Sequence, residues 1–271
     1  MVQRRGRSIP AMRSALMGLG LLTAGIFGVG AAGTAPAIAA EFTPAQKSEM
    51  GGIIRDYLVQ NPEVLQEAMS ELERRQKSQE ELKRQQVVDT KSGDLFNGPN
   101  DVVLGNPKGK VTLVEFFDYN CGYCKRSLDD VAKLMKSEPE MRLVLKDFPV
   151  LGPGSVEAAY IAGAVRNQFK GDQFWQFHAK LLGGQHGPVG KAQALQVAKD
   201  MGANMDQITK DAASAEVKST IQGTMGLADA LGLTGTPTFV VGKEVVVGAV
   251  GYDELKTHID SVLKCGKAVC S

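Results

Sequence analysis

Two helical stretches near the start of the chain and four β-rich runs further on can be read from where the apolar residues fall. Thr43-Pro44 and Asn61-Pro62 each set a capping side chain before a proline suited to a first helical turn, which predicts helix starts at both places. The first helix is expected to run to about Val59. In the second, Leu65, Met69 and Leu72 fall on one stripe beside Ala68. From Glu73 to Gln86 the only apolar residue is Leu82, so this stretch is either a solvated helix or a linker. The stripe before it needs a cover. Another copy of the chain is the preferred one, and the body of its own domain is the alternative.

A segment rich in Gly, Asn, Asp and Pro from Lys91 to Lys110 reads as a loop. It leads into Val111 to Tyr119, a β-branched and aromatic run typical of a buried strand. Cys121 follows at once, and Leu128, Val131, Leu134 and Met135 recur at helical spacing, so Cys121 and Cys124 lie at a strand-to-helix junction. A second strand, Arg142 to Phe148, stops at Pro149. From Gly152 to Leu231 the periodicity is helical, with breaks at 170–172, 183–188 and 202–204. Thr238 to Val241, a Gly242-Lys243 turn and Glu244 to Val247 then read as a hairpin, and a last helix spans about Tyr252 to Leu263. Strand, helix, strand, helical insertion, hairpin and helix in that order predict an α/β fold with helices packed on a mixed sheet.

With 271 residues and 43% hydrophobic content, the chain can bury a core without disulfide staples. A net charge of +1 offers no basic excess for nucleic acid or an anionic membrane. Arg4, Arg5, Arg7 and Arg13, the apolar run Leu16 to Ala32, and Ala37-Ile38-Ala39 together predict an export signal cleaved after Ala39. An uncleaved membrane anchor is the competing reading, because the apolar stretch approaches the ~20 residues that span a bilayer. Export would place the four cysteines where disulfides persist.

In Cys121-Gly122-Tyr123-Cys124, the first sulfur sits beside the unpaired N–H groups and positive end of a helix, which stabilise a thiolate. Cys121 is therefore the expected nucleophile. Cys124, one turn further in, would close the ring disulfide or resolve a mixed disulfide with substrate, and no cofactor is needed. A permanent disulfide and half of a zinc site are the rival readings. Zinc ribbons bring a second pair at modest separation, whereas Cys265 and Cys270 lie far along the chain and the three histidines lack ligand spacing. Two soft thiolates could also hold Cu(I), although the Met clusters or His-rich tracts suited to a copper carrier are missing. Cys265 and Cys270 read as a small structural disulfide; a second redox pair there would lack the helix-start setting. His178 is expected to pack on a helix and His186 to be solvated, with no catalytic part for either.

Phe116 to Lys125 (FFDYNCGYCK) and Thr234 to Thr238 (TGTPT) resemble the two active-site segments of the DsbA family of bacterial thiol–disulfide oxidoreductases. Asp172 to His178 (DQFWQFH) is similar to the start of a helix in that family's inserted helical domain, and the likeness covers about Asp101 to Leu263. The resemblance implies a thioredoxin-like fold with a helical insertion. It further implies that Pro237 is a cis-proline facing the cysteine pair, with Thr236 offering backbone groups to an extended substrate. Taken alone, Thr236-Pro237-Thr238 would suit an ordinary trans proline at a strand start.

Glu115 shares a strand face with Leu113 and Phe117, so alternation sets a carboxyl among apolar neighbours where burial favours its protonated form. It is expected to relay protons for Cys124, as the acid at the matching place in DsbA-like proteins implies; a partly solvated strand-end Glu is the plainer alternative. Lys146 is the expected charge partner across the sheet.

Gly122-Tyr123 and Thr236 resemble bacterial disulfide isomerases more than strongly oxidising members, and the N-terminal helices resemble the oligomerisation segment of ScsC-type relatives. These likenesses imply a periplasmic homo-oligomeric isomerase or reductase acting on exported proteins and kept reduced by a membrane partner. A dithiol oxidase is the alternative. The expected organisation is a signal at 1–39, an oligomerisation segment and linker at 40–90, and a DsbA-like domain at 91–271 with its insertion at about 152–231.

Overall fold

The computed structural model describes residues 41–184 and 187–270; the expected signal at 1–39 and His186 lie outside the described residues. The chain divides into two compact units, 1–61 and 62–271.

In the first unit, α1 (Pro44–Gln60) opens on a capping box. The Thr43 hydroxyl accepts from the Gln46 N–H at 3.3 Å, and the Thr43 N–H donates to Gln46 Oε1 at 2.9 Å, so two otherwise unpaired donors at the helix start are satisfied. No residue of α1 is buried; Ile53, Ile54, Tyr57 and Val59 are all exposed. Asn61 departs from expectation. Its side-chain amide donates to Tyr57 O at 2.8 Å and so closes α1, instead of capping the helix that follows.

That helix, α2 (Glu63–Thr90), runs for 28 residues without a break. The polar stretch after Leu72 is helical. Its surface ion pairs, Glu71 with Arg74 and Arg75 at 2.7 and 2.6 Å, are exposed and screened by solvent, so they add little to stability. Leu65, Met69 and Leu72 are exposed, whereas the far end docks: Val88 is buried, Arg84 Nε donates to Leu231 O at 3.2 Å, and Asp89 pairs with Lys243 at 2.7 Å. The second unit thus begins at Pro62, so α2, which the expected organisation grouped with the N-terminal segment, lies in one unit with the sheet.

Between 91 and 110 the expected loop contains two elements, α3 (Ser92–Phe96) and β1 (Val102–Gly105). Four residues carry too little periodicity to announce a strand. β1 exists because β3 (Met141–Asp147) offers it an edge, pairing Leu104 with Leu143. β2 (Val111–Phe117) lies parallel to β3, and β4 (Thr238–Val241) and β5 (Glu244–Val247) follow antiparallel, giving the order β1-β3-β2-β4-β5. Gly242 turns the β4–β5 hairpin at φ +59°, a left-handed conformation suited to glycine.

β2 is buried on both faces. Val111, Leu113 and Phe117 enter a large core with α4 (Gly122–Ser137) and the insertion, while Val114 and Phe116 join Val88, Leu95 and Leu227 in a second cluster. Each such side chain is worth about 1.5–3 kcal/mol in area removed from water. The insertion comprises α5 (Pro153–Gln168), α6 (Gly171–Gly183), α7 (Lys191–Asp200), α8 (Met205–Ala212) and α9 (Ala215–Ala230). A fourth break, between α8 and α9, was not expected; the Ser214 hydroxyl makes it by accepting from the Val217 N–H at 3.2 Å. α10 (Tyr252–Cys265) ends at Gly266, and a disulfide between Cys265 and Cys270 closes the tail over buried Ala268.

Candidate active site

Only Asp118 to Cys121 separate β2 from α4, so the strand delivers the cysteine pair to the helix start. Cys121 is the N-cap residue: its backbone is extended, and its Sγ accepts from the Cys124 N–H at 3.4 Å. The same sulfur donates to the carbonyl of Thr236 at 3.1 Å. Thr236-Pro237 is cis and immediately precedes β4, which pairs with β2, so sheet register brings a loop more than a hundred residues away against the cysteine. Both thiols are free; Cys121 is 6% exposed and Cys124 is fully buried, while Tyr123 between them is exposed and its ring carries the Arg126 guanidinium at 4.1 Å.

Burial, and then the carboxyl of Glu115, push the Cys124 thiol well above the ordinary thiol range. Glu115 stands opposite Leu145 and Phe239 on the neighbouring strands, and burial lifts its carboxyl to about 8. Two acids that interact in a dry site do not ionise together, so ionisation of either one holds the proton on the other.

Glu115→Gln is expected to change the pH dependence of stability. The unfolded chain ionises Glu115 above about 4.5, whereas the folded chain holds its proton up to about 8. The contribution is therefore complete below the lower value and is lost as pH rises to the upper one, at up to about 1.4 kcal/mol per pH unit. Urea unfolding between pH 5 and 8 should show a shallower decline for the variant. Parallel curves would reject the buried acid.

Lys146 is not the partner of Glu115. It is in register with Phe116, and alternation points it to the opposite face of the sheet. There its Nζ bonds Asp101 Oδ1 at 2.6 Å and Asp94 O at 2.7 Å, a buried pair. His178 is buried against Phe117 and stacked on Trp175, with Nδ1 3.4 Å from the Tyr119 hydroxyl. Burial pushes it down to about 3, so it is neutral at physiological pH.

No local pattern announces the polar network around the turn that carries Cys121. Asp118, Asn120 and Ser155 are joined by hydrogen bonds, and Asn120 reaches Val189 in the insertion. Its signals, an Asp at a strand end and a Ser in a first helical turn, carry no spacing that links them. Among the described residues, no group of three or more His, Cys, Asp or Glu is placed to hold a metal ion.

Residues 112–260 match the model of the DSBA-like thioredoxin domain, and residues 46–79 match that of the copper resistance protein ScsC N-terminal domain. A solved thioredoxin-like oxidoreductase from Silicibacter pomeroyi DSS-3 is 41% identical, covering 64% of this chain and 98% of its own, with a TM-score of 0.60. A linker-deletion mutant of Proteus mirabilis ScsC is 26% identical, covering 83% of this chain and 99% of its own, with a TM-score of 0.62. Disulfide bond formation protein D of Bacillus subtilis is 28% identical over 60% of this chain and 77% of its own length. The chain also matches Na(+)/H(+) antiporters of Salinispora, of whose length it spans 24%.

Proposed function

We propose, from the premise that this chain belongs to the DSBA-like thioredoxin domain family, that it is an exported thiol–disulfide oxidoreductase acting on protein disulfides through Cys121 and Cys124. One observation carries the reading: the sulfur that caps α4 meets both the Cys124 N–H and the carbonyl of Thr236 before cis-Pro237.

In the reduced protein the Cys121 thiolate attacks a client disulfide. A Cys121–client bond forms as the client's S–S bond breaks, and the departing sulfur takes up a proton. Thr236 holds an extended client backbone alongside. The client's freed thiol can then attack another of its own disulfides and finally displace Cys121, which leaves a rearranged client and a reduced protein. Alternatively Cys124 attacks Cys121 Sγ, its proton passing by way of an ionised Glu115 to the departing client sulfur, so that the client leaves as a thiol while Cys121 and Cys124 become a disulfide. Export rests on the leader at 1–39, and a membrane partner returns the pair to its dithiol form.

Isomerisation is the favoured outcome because the segment matching the ScsC N-terminal domain contains an exposed apolar stripe, Leu65, Met69 and Leu72. Such a stripe is covered by self-association, and several sites on one assembly make the second contact with a misbridged client intramolecular. The triple change Leu65→Glu, Met69→Glu and Leu72→Glu is expected to give a monomer that still reduces insulin but reactivates scrambled ribonuclease at least about tenfold more slowly. Sedimentation and the two assays check it. An unchanged oligomer mass, or a monomer with full reactivation, would reject the role of the stripe.

The similarity to a disulfide bond formation protein favours a second reading, a dithiol oxidase. Equilibration with glutathione separates the two. A Cys121/Cys124 potential near about −120 mV would support the oxidase, and one at about −180 mV or lower the isomerase or reductase.

A further inference from the structure

The exchange chemistry makes no use of Asp118, yet this carboxylate is 2% exposed and accepts four hydrogen bonds. Oδ1 takes the Asn120 N–H at 2.8 Å and the Ser155 hydroxyl at 2.7 Å, and Oδ2 takes the N–H groups of Val150 and Leu151 at 2.8 and 2.9 Å. The backbone carbonyl of Asp118 accepts from the Cys121 N–H at 3.0 Å. Asn120 extends the network: its amide donates to Ser155 Oγ at 2.9 Å and to Val189 O at 2.8 Å, and it accepts from the Val189 N–H at 2.7 Å. Three separate stretches of chain, the run after β3, the first turn of α5 and the segment before α7, are thereby fastened to the turn that carries Cys121.

We infer that Asp118 is a positioning residue for Cys121: its carboxylate locks the catalytic turn to the helical insertion and so aims the sulfur between Thr236 and the start of α4. The inference rests on Cys121 being the nucleophile. A buried carboxylate that takes four hydrogen bonds is an expensive way to join segments that apolar contacts could hold, because it must be fully satisfied to be tolerated. What it supplies is direction. Four charge-assisted bonds of fixed geometry restrain a turn more tightly than packing does.

Charge and aim make different predictions. If charge were all that mattered, Asp118→Asn would move the pH midpoint of exchange downward and change the plateau, where the nucleophile is already a thiolate, by no more than a few-fold. If aim matters, Asp118→Asn lowers the plateau itself. The amide has the shape of the carboxylate, but one of its ends is a donor and must face an N–H group whichever way it turns.

The test uses the full reduced chain and its single-turnover rate against oxidised glutathione and against a peptide disulfide, followed from pH 5 to 10. Asp118→Asn is expected to lower the alkaline plateau at least about tenfold with both substrates, since misplacement by about 1 Å can cost about a hundredfold. Ser155→Ala and Asn120→Ala, each of which leaves the carboxylate in place, should lower it less and in the same direction. A midpoint moved to lower pH with a plateau within a few-fold of the original would overturn the inference in favour of charge alone. A lower melting temperature with an unchanged plateau per folded molecule would overturn it in favour of a purely structural bond. Should Asp118→Asn fail to fold, unchanged plateaus in both other variants would overturn it as well. Failure of the underlying reading looks different, because exchange would then persist in a chain lacking the Cys121 thiol while Asp118 is intact.

Discussion

Cys121→Ser is expected to lower exchange with a client disulfide by about a thousandfold or more, the scale on which removal of a nucleophile registers. A serine hydroxyl at this place does not ionise in the working range, and even its alkoxide does not form the exchangeable bond to sulfur on which each step depends. Cys124 cannot take over, because it is fully buried and held in the protonated form by burial and by Glu115. The fold should be kept. Serine is among the preferred N-cap residues and can accept from the N–H of residue 124 as the sulfur does now, so the start of α4 retains its cap. Insulin reduction and ribonuclease reactivation, with a melting curve as control, read the result. Retention of full activity by a folded variant would remove Cys121 from its role.

Cys124→Ser should have the second largest effect and a different signature. The first attack uses Cys121 alone, so the mixed disulfide forms within a few-fold of the normal rate and then persists, because no neighbouring thiol remains to break it. Catalytic turnover of insulin reduction is expected to fall about a hundredfold or more while Cys121–client adducts accumulate. The buried hydroxyl left without the sulfur's surroundings costs about 1–3 kcal/mol of stability. Non-reducing electrophoresis of variant mixed with oxidised client, before and after dithiothreitol, checks the prediction. If no adduct accumulates, the resolving role of Cys124 fails.

The elements that local pattern could announce are those in which one segment carries its own reason. A β-branched run ending at Cys121 and an amphipathic stretch after it mark a strand-to-helix junction within some twenty-five residues, and the structure has β2 and α4 there. Helix breaks signalled by glycine were legible for the same reason, whereas the break at Ser214 depends on one hydroxyl and was not. α3 and β1, five and four residues long, hold too little periodicity to stand out from a loop. Lys146 and Glu115 lie on adjacent strands as a charge pair across the sheet would require, yet a one-residue step in register puts the two on opposite faces.

Local pattern suffices for the order of the main elements, the cysteine pair at a helix start, the apolar stripe of α2 and a carboxyl set among apolar neighbours on β2. All are properties of neighbouring residues, governed by cap chemistry and by the helical and strand periods. Only the tertiary structure decided that β1 forms, that the end of α2 docks through Val88, that the Thr236 carbonyl lies 3.1 Å from Cys121 Sγ, and that Asp118 ties its turn to Ser155. Those contacts join residues tens to more than a hundred positions apart. Sheet register and core packing select them, and no local periodicity records which distant partner a buried polar group will find.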